Sequence, residues 1–110
     1  MSSPDAQAEA ELARITARAT KRNRARGARL AELCTALDAT SPPERWEEAA
    51  ELAHQIAGSS GTFGRPRASE LARELLTILR AHRLDGIPEL LDDLTSELGP
   101  SGYGDGHDRG

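Results

Sequence analysis

Residues 41–64, SPPERWEEAAELAHQIAGSSGTFG, carry the strongest secondary-structure signal in this chain. The two prolines suit the first turn of a helix, and Ser41 with Glu44 matches the pattern of a capping box. Apolar residues then recur at helical spacing from Trp46 to Ile56, which predicts a helix with one face in a core. Glycines follow toward the end of the stretch. It therefore predicts an amphipathic helix that ends among small residues.

The helical pattern continues on both sides of this stretch. Residues 4 to 38 form a first segment in which Gly27 interrupts the apolar stripe, so we expect either one long helix or two helices joined near Gly27. Pro66 restarts the pattern for a third helix that runs to about residue 83, and residues 88–98 form a short fourth helix. The short connections between these segments are typical of antiparallel neighbours.

Composition also favours a helical domain. The 110 residues suffice for one domain with a modest core. Because aromatic residues make up only 3% of the chain and valine is absent, a β-sheet is not expected. We predict an all-α fold, an up-down antiparallel four-helix bundle with an extended or split basic N-terminal helix. In this prediction residues 1–29 form a basic helical extension, 30–98 form the bundle, and 99–110 form a disordered, glycine-rich tail.

Charge is distributed unevenly along the chain. The net charge is −4, yet residues 14–29 contain seven basic residues and no acidic one. Such a block suits a solvated helix face or a surface that binds a polyanion, and the absence of interleaved aromatic residues favours the solvated face. Leu12 and Ile15 lie on an apolar stripe at the start of this segment, with no partner assigned within the chain. A homodimer through the first helix is therefore left open.

Other features limit the class of protein. Cys34 is the one cysteine and lies among leucines, which predicts a small buried hydrophobe. No metal site is predicted, because cysteine and histidine lack zinc-ligand spacing. The N-terminus lacks the pattern of a signal peptide, and no apolar run approaches the ~20 residues of a membrane span. We expect a cytoplasmic protein that does not act at a membrane.

His54 is the candidate reactive residue. It lies off the apolar stripe of the second helix and is followed by small residues, so its ring is expected to be accessible. Neutral imidazole is a nucleophile near physiological pH. A surface histidine beside a frayed helix end would look similar. The series Gly58-x2-Gly61-x2-Gly64 argues against that interpretation, since a glycine inside a helix costs ~1 kcal/mol and packing alone does not readily explain three.

The residues around His54 resemble the histidine-containing phosphotransfer (HPt) domain, whose motif reads His-x-Leu-Lys-Gly-Ser-Ser-x3-Gly before a leucine-patterned helix. The matching residues are His54, Ile56, Gly58, Ser59, Ser60, Gly64, Leu71 and Leu75. Trp46 resembles the bulky residue that this family places two turns before its histidine. The resemblance covers about residues 30–98.

Ala57 departs from this motif, because it stands where the family usually has lysine. That lysine places a cation near the phosphoryl group. Arg65, Arg67 or a residue of the basic first segment is the candidate to replace its charge.

The resemblance implies a phosphoryl carrier and not an enzyme. His54 would take a phosphoryl group from the aspartyl phosphate of one receiver domain, as a phosphoramidate, and pass it to a second receiver in a two-component phosphorelay. The implied partners are response regulator receiver domains and a hybrid histidine kinase. No intrinsic cofactor is expected, since Mg²⁺ lies on the partner receiver. The residues expected to contact the partner or the phosphoryl group are Ala57, Gly58, Ser59, Gly61, Glu51, Arg65 and Arg67.

The serines that follow His54, and the other two histidines of the chain, are not expected to react. The hydroxyls of Ser59 and Ser60 are expected to bond back to carbonyls one turn earlier in the helix. His82 and His107 are weaker candidates for reaction, because His82 closes the third helix and His107 lies in the tail.

Two other classes of function stay open. The alanine at position 57 permits a domain that docks on a receiver without accepting phosphate. The basic segment 14–29 permits a small helical nucleic-acid-binding or assembly protein, although nucleic acid is not the expected partner. Acid-labile label on the wild-type protein would exclude the first class, and steeply salt-dependent binding would support the second.

Overall fold

Four α-helices make up the architecture of residues 4–99, the part of the chain that this computed structural model describes. They are α1 (Pro4–Thr35), α2 (Pro43–Thr62), α3 (Pro66–Arg80) and α4 (Ile87–Leu98). Helix α1 packs against α2 and α4, and α3 packs against the same two helices. The predicted all-α four-helix bundle is confirmed, and each helix contacts its two neighbours in the ring.

Aliphatic side chains form the core where the four helices meet. The largest wholly buried apolar side chains come from every helix: Leu30, Ile56, Leu71, Leu75, Leu79 and Leu94. Small residues line α2 on the same side, where Ala49, Ala50 and Ala53 are also buried. Their small size lets the neighbouring helices approach α2 closely between the buried side chains of Trp46 and Ile56.

Helix α1 is continuous through Gly27, so the alternative of two helices joined there is wrong. A Cβ atom built on Gly27 would lie 2.9 Å from Cδ1 of Leu98. Gly27 therefore permits close packing of α1 on α4 and does not break the helix. The buried stripe of α1 begins at Ala19 and continues through Asn23 and Gly27 to Leu30.

The first part of α1 extends beyond this stripe, and the side chains of Leu12 and Ile15 are 59% and 46% exposed. The homodimer through this helix stays a prediction, as does the domain boundary between residues 29 and 30. Of the predicted disordered tail, residues 100–110 lie outside the described residues. No helix within the described range is long and apolar enough to cross a membrane.

The start of α2 differs from the predicted capping box. Pro42 is the N-cap residue, and no side chain caps the helix. The hydroxyl of Ser41 instead accepts a hydrogen bond from the Asp38 backbone N–H at 2.9 Å. Hydrogen bonds from the Thr40 side chain and backbone hold the pKa of the Asp38 carboxyl below its ordinary value. Ser41 therefore stabilises the connection from α1 and not the first turn of α2.

The end of α3 is fixed by a histidine in an uncommon conformation. His82 has φ 54°, and its N–H donates to the Leu79 carbonyl while the Arg83 N–H donates to the Ile78 carbonyl. This is a Schellman motif, which usually has glycine at that position. The His82 ring stacks on Trp46 of α2, with ring centroids 4.9 Å apart and planes 11° apart. The stack links the end of α3 to the start of α2.

Cys34 is buried on α1, as predicted, and burial raises the pKa of its thiol to about 11. The neutral thiol is thus favoured in the folded state more than in the unfolded chain, whose ordinary value is 9.0. By linkage, this contribution to stability is present below pH 9 and is lost as the pH rises through the folded pKa.

We therefore expect the free energy of unfolding to fall between about pH 9 and pH 11, since the unfolded chain loses the thiol proton first. Urea titrations of the wild type and of Cys34→Ala at both pH values would measure this loss. An equal loss of stability in both proteins would contradict the assignment to Cys34.

Candidate functional site

His54 lies on the exposed surface of α2, about midway along the helix. Among residues 4–99, no side chain or carbonyl forms a hydrogen bond or ion pair with its ring. The adjacent positions Ala53 and Ile56 are buried, so the helix cannot rotate to cover the ring without exposing its core stripe. The predicted accessibility of His54 therefore follows from the packing of α2.

Gly58 leaves the surface beside the His54 ring without a protruding side chain. It lies one turn after His54 on the same face, and a Cβ atom built on it would have no heavy atom within 4 Å. No neighbouring part of the described chain requires glycine here. The observation suits a surface that a partner approaches closely.

The other two glycines of the series have structural explanations. A Cβ atom on Gly61 would lie 3.3 Å from Oγ of Ser69, so Gly61 allows α3 to pack closely on α2. Gly64 has φ 76°, a left-handed conformation that favours glycine after a helix end. Packing and backbone conformation thus account for two of the three, contrary to our expectation from the sequence. Gly58 is the one glycine of this series that neither packing nor backbone conformation explains.

Two alanine substitutions separate these roles. Gly58→Ala should raise the free energy of unfolding by about 0.5–1 kcal/mol, because alanine loses less backbone entropy in a helix and finds open space. Gly64→Ala should lower it by about 1–2 kcal/mol, since φ is positive there. Thermal and urea unfolding of both variants measure the difference. Destabilisation by Gly58→Ala would mean that Gly58 has an internal packing role.

Ala57 lies between the histidine face and α3. Its side chain is 5% exposed, and its carbonyl accepts a hydrogen bond of 2.9 Å from the hydroxyl of Ser69 on α3. A longer side chain at position 57 would have to extend along the surface of α3 toward solvent. Since the side chain of Ala57 is a methyl group, position 57 carries no positive charge.

Ser59 lies on another side of α2 from His54, because five residues correspond to a rotation of about 140°. Its hydroxyl accepts a hydrogen bond of 3.1 Å from the Asn23 side-chain amide of α1. Ser60 is buried, and no described residue hydrogen-bonds to its Oγ. The predicted back-bonding of both serines is wrong; Thr62 forms this kind of bond, to the carbonyl of Gly58 at 3.0 Å.

Asn23 connects α1 to the end of α2, a role that was not predicted from the sequence. Its side chain is 4% exposed, and its Oδ1 accepts a hydrogen bond of 2.9 Å from Arg26. The available signal was the spacing of Ala19, Asn23, Gly27 and Leu30, which continues one helical stripe. Because most residues of that stripe are small or polar, the pattern of apolar residues does not indicate that this part of α1 is packed against other helices.

The predicted cations and acid near the site have contacts elsewhere. Arg65 donates to the Glu97 carbonyl of α4 at 3.2 Å. Arg67 lies 3.9 Å from Glu70 on α3 in an exposed ion pair. Glu51, one turn before His54, accepts a hydrogen bond of 3.3 Å from Gln55. The helix spacing thus places Glu51, Ala57 and Gly58 near His54, with Gly61 two turns beyond it.

No group of three or more histidine, cysteine or carboxylate side chains that could hold a metal ion occurs within residues 4–99. The site consists of one exposed imidazole on a rigid helix, and no side chain protrudes beside it at Gly58. Such an arrangement can present the imidazole as a nucleophile to a partner molecule, which would supply the other reacting and charge-stabilising groups.

The fold and the site together define a small four-helix bundle with an exposed histidine on its second helix. The Hpt domain family model matches residues 25–99 of this chain, which is more than half of its length. The chain belongs to the Hpt domain family, whose members carry phosphoryl groups on histidine in two-component signalling. No curated protein and no solved structure matches it significantly.

Proposed function

We propose that this chain shuttles a phosphoryl group between the aspartates of receiver domains through His54. The observation that carries the proposal is the exposed ring of His54, which forms no hydrogen bond or ion pair with the described residues and lies beside the open surface at Gly58. Membership of the Hpt family supports it. Response regulator receivers and a hybrid histidine kinase are the partners that we infer.

The chemistry of the step is a displacement at phosphorus. A neutral ring nitrogen of His54 attacks the phosphorus of the aspartyl phosphate, and a P–N bond forms. The P–O bond to the aspartate breaks, and its electron pair stays on the receiver carboxylate. Since phosphoryl transfer depends on alignment and on charge stabilisation, the receiver and its Mg²⁺ supply most of the catalysis. The reverse step passes the group to a second receiver.

The rigid mounting of His54 supports this role. The core stripe of α2 holds the helix against α1 and α3, so the ring keeps a fixed position relative to the bundle. Alignment of reacting atoms lowers the barrier of a transfer reaction. The absence of a side chain at Gly58 would let the loop of a receiver approach within reach of the ring.

Transfer from a phosphorylated receiver tests the proposal. Candidate receiver domains are labelled with a small-molecule phosphodonor in the presence of Mg²⁺ and mixed with the full chain. We expect label to move to this chain within minutes from at least one receiver. A complete survey in which no receiver loses label to the chain would contradict the shuttle function.

One observation favours docking without transfer as the second candidate. The buried methyl group of Ala57 replaces the cation that the motif places near the histidine. A chain that binds receivers but never acquires acid-labile label would have this second function.

The nucleic-acid alternative has less support. Within α1, Arg24 donates to the Leu98 carbonyl at 2.9 Å, Arg26 donates to Asn23, and Arg29 pairs with Glu32 and Glu48. These guanidinium groups already contact acceptors within the bundle. A polyanion would therefore have to compete with existing contacts at these three of the seven basic residues.

A further inference from the structure

The missing lysine at position 57 raises the question of which cation faces the phosphoryl group. Arg65 is held at the end of α4 by the Glu97 carbonyl, and Arg67 pairs with Glu70. Neither arginine forms a hydrogen bond or an ion pair with His54. Arg65 and Arg67 therefore leave unassigned the positive charge that would face the phosphoryl group.

The basic residues of α1 contact a different side of α2. Asn23 meets α2 at Ser59, and Arg29 meets it at Glu48 with an N–O distance of 3.2 Å. Ser59 and Glu48 lie about 140° and 120° around the helix from His54. The contacts of α1 are thus turned away from the face that carries the histidine.

Arg73 of α3 lies against the histidine face of α2. A Cβ atom built on Gly61 would be 3.9 Å from Nη2 of Arg73, and Gly61 is seven residues after His54, which returns to nearly the same face. Ser69, one turn before Arg73, donates to the carbonyl of Ala57. Because consecutive helices of the bundle run antiparallel, Arg73 is one turn nearer than Ser69 to the level of His54.

The guanidinium of Arg73 is available for a ligand. The residue is exposed, and within residues 4–99 no carboxylate lies within 4.0 Å of its nitrogens. Gly61 leaves space beneath it, so the side chain can move along the surface of α2 without meeting a side chain at that position. A flexible arginine with unpaired N–H groups can donate two parallel hydrogen bonds to a phosphoryl group.

We propose that Arg73 is the cation that contacts the phosphoryl group on His54, in place of the usual lysine at position 57. The inference rests on the proposed function of His54. Arg73 reaches the site from α3, the helix that packs against α2 at Ala57 and Gly61. It neutralises part of the charge of the phosphoryl group during transfer and in the phosphorylated chain.

Matched arginine variants test this role in the full chain. Arg73→Gln removes the charge beside Gly61 on the histidine face of α2, whereas Arg45→Gln removes an exposed charge about 180° around the helix from His54. We expect transfer from a phosphorylated receiver to slow by about tenfold in Arg73→Gln and by less than about twofold in Arg45→Gln, as for loss of one charge-assisted contact. Far-UV circular dichroism of both variants checks the fold.

A measurement on the wild-type chain removes the dependence on a variant. The chain is phosphorylated with phosphoramidate, and the arginine Nε–H resonances are followed by NMR. We expect the Arg73 resonance to shift and the Arg45 resonance to stay. An unchanged Arg73 resonance, or equal slowing by the two variants, would overturn the role of Arg73 while leaving the shuttle intact. A wild-type chain that accepts no phosphoryl group would overturn the shuttle itself.

Discussion

Replacement of His54 by glutamine is expected to abolish phosphoryl transfer completely and to leave the bundle intact. The amide of glutamine is not a nucleophile, so no P–N bond can form at this position. The His54 ring is exposed and forms no hydrogen bond or ion pair with the described residues, so its removal should change the free energy of unfolding by at most about 0.5 kcal/mol. Labelling and thermal unfolding of the same preparation measure both effects.

His82→Gln provides a matched control for this variant. It removes a histidine from a different place, the ring that stacks on Trp46, and it should still be labelled at the wild-type rate. Its stability should fall because the stacked pair is lost, by about 0.5–1.5 kcal/mol. Label that persists in His54→Gln would contradict the assignment of the acceptor.

Truncation of Leu30 is expected to have the largest effect on stability. The Leu30 side chain is 0% exposed and anchors the C-terminal part of α1 in the shared core. Leu30→Ala should lower the free energy of unfolding by about 2–5 kcal/mol, because the substitution removes buried apolar surface and leaves a cavity. Urea unfolding followed by circular dichroism gives the value.

Leu12→Ala is the matched control on the same helix. Leu12 is 59% exposed, so in the isolated chain its truncation should change stability by about 0.5 kcal/mol or less. Similar losses for both variants would show that the first part of α1 is buried in solution. Light scattering on the full chain would then distinguish a homodimer from contacts within one chain.

The fold could be predicted well from the sequence where large apolar residues mark the core. Leucines and isoleucines at helical spacing placed α2, α3 and α4 within a few residues of their observed ends. The path of α1 was ambiguous because its stripe passes through Ala19, Asn23 and Gly27, which are small or polar. Their burial depends on close packing against α2 and α4, and a local pattern cannot reveal such packing.

The candidate site was only partly predictable for the same reason. Helical spacing places His54 and Gly58 on one exposed face, and both features follow from residues near in sequence. The contacts of Ser59 with Asn23, and of Gly61 with Ser69 and Arg73, join residues far apart in the chain. They depend on the rotation of each helix within the bundle, which the sequence pattern leaves undetermined.

Ala57 is unusual both in the family motif and in its position within the bundle. The motif identifies it as the position of a missing cation, and its burial against α3 shows which helix borders that gap. Arg73 comes from that helix and reaches the same face of α2. The positive charge that is absent at position 57 of α2 is therefore assigned to Arg73 of the neighbouring helix α3 under our proposal.

Mapping the phosphoryl group on the wild-type chain tests the central claim most directly. The chain is labelled by a phosphorylated receiver, digested at neutral or alkaline pH, and analysed by mass spectrometry. We predict one phosphorylated peptide, modified at His54, whose label is lost in acid as expected for a phosphoramidate. A chain that stays unlabelled, or carries the group at another residue, would contradict the account.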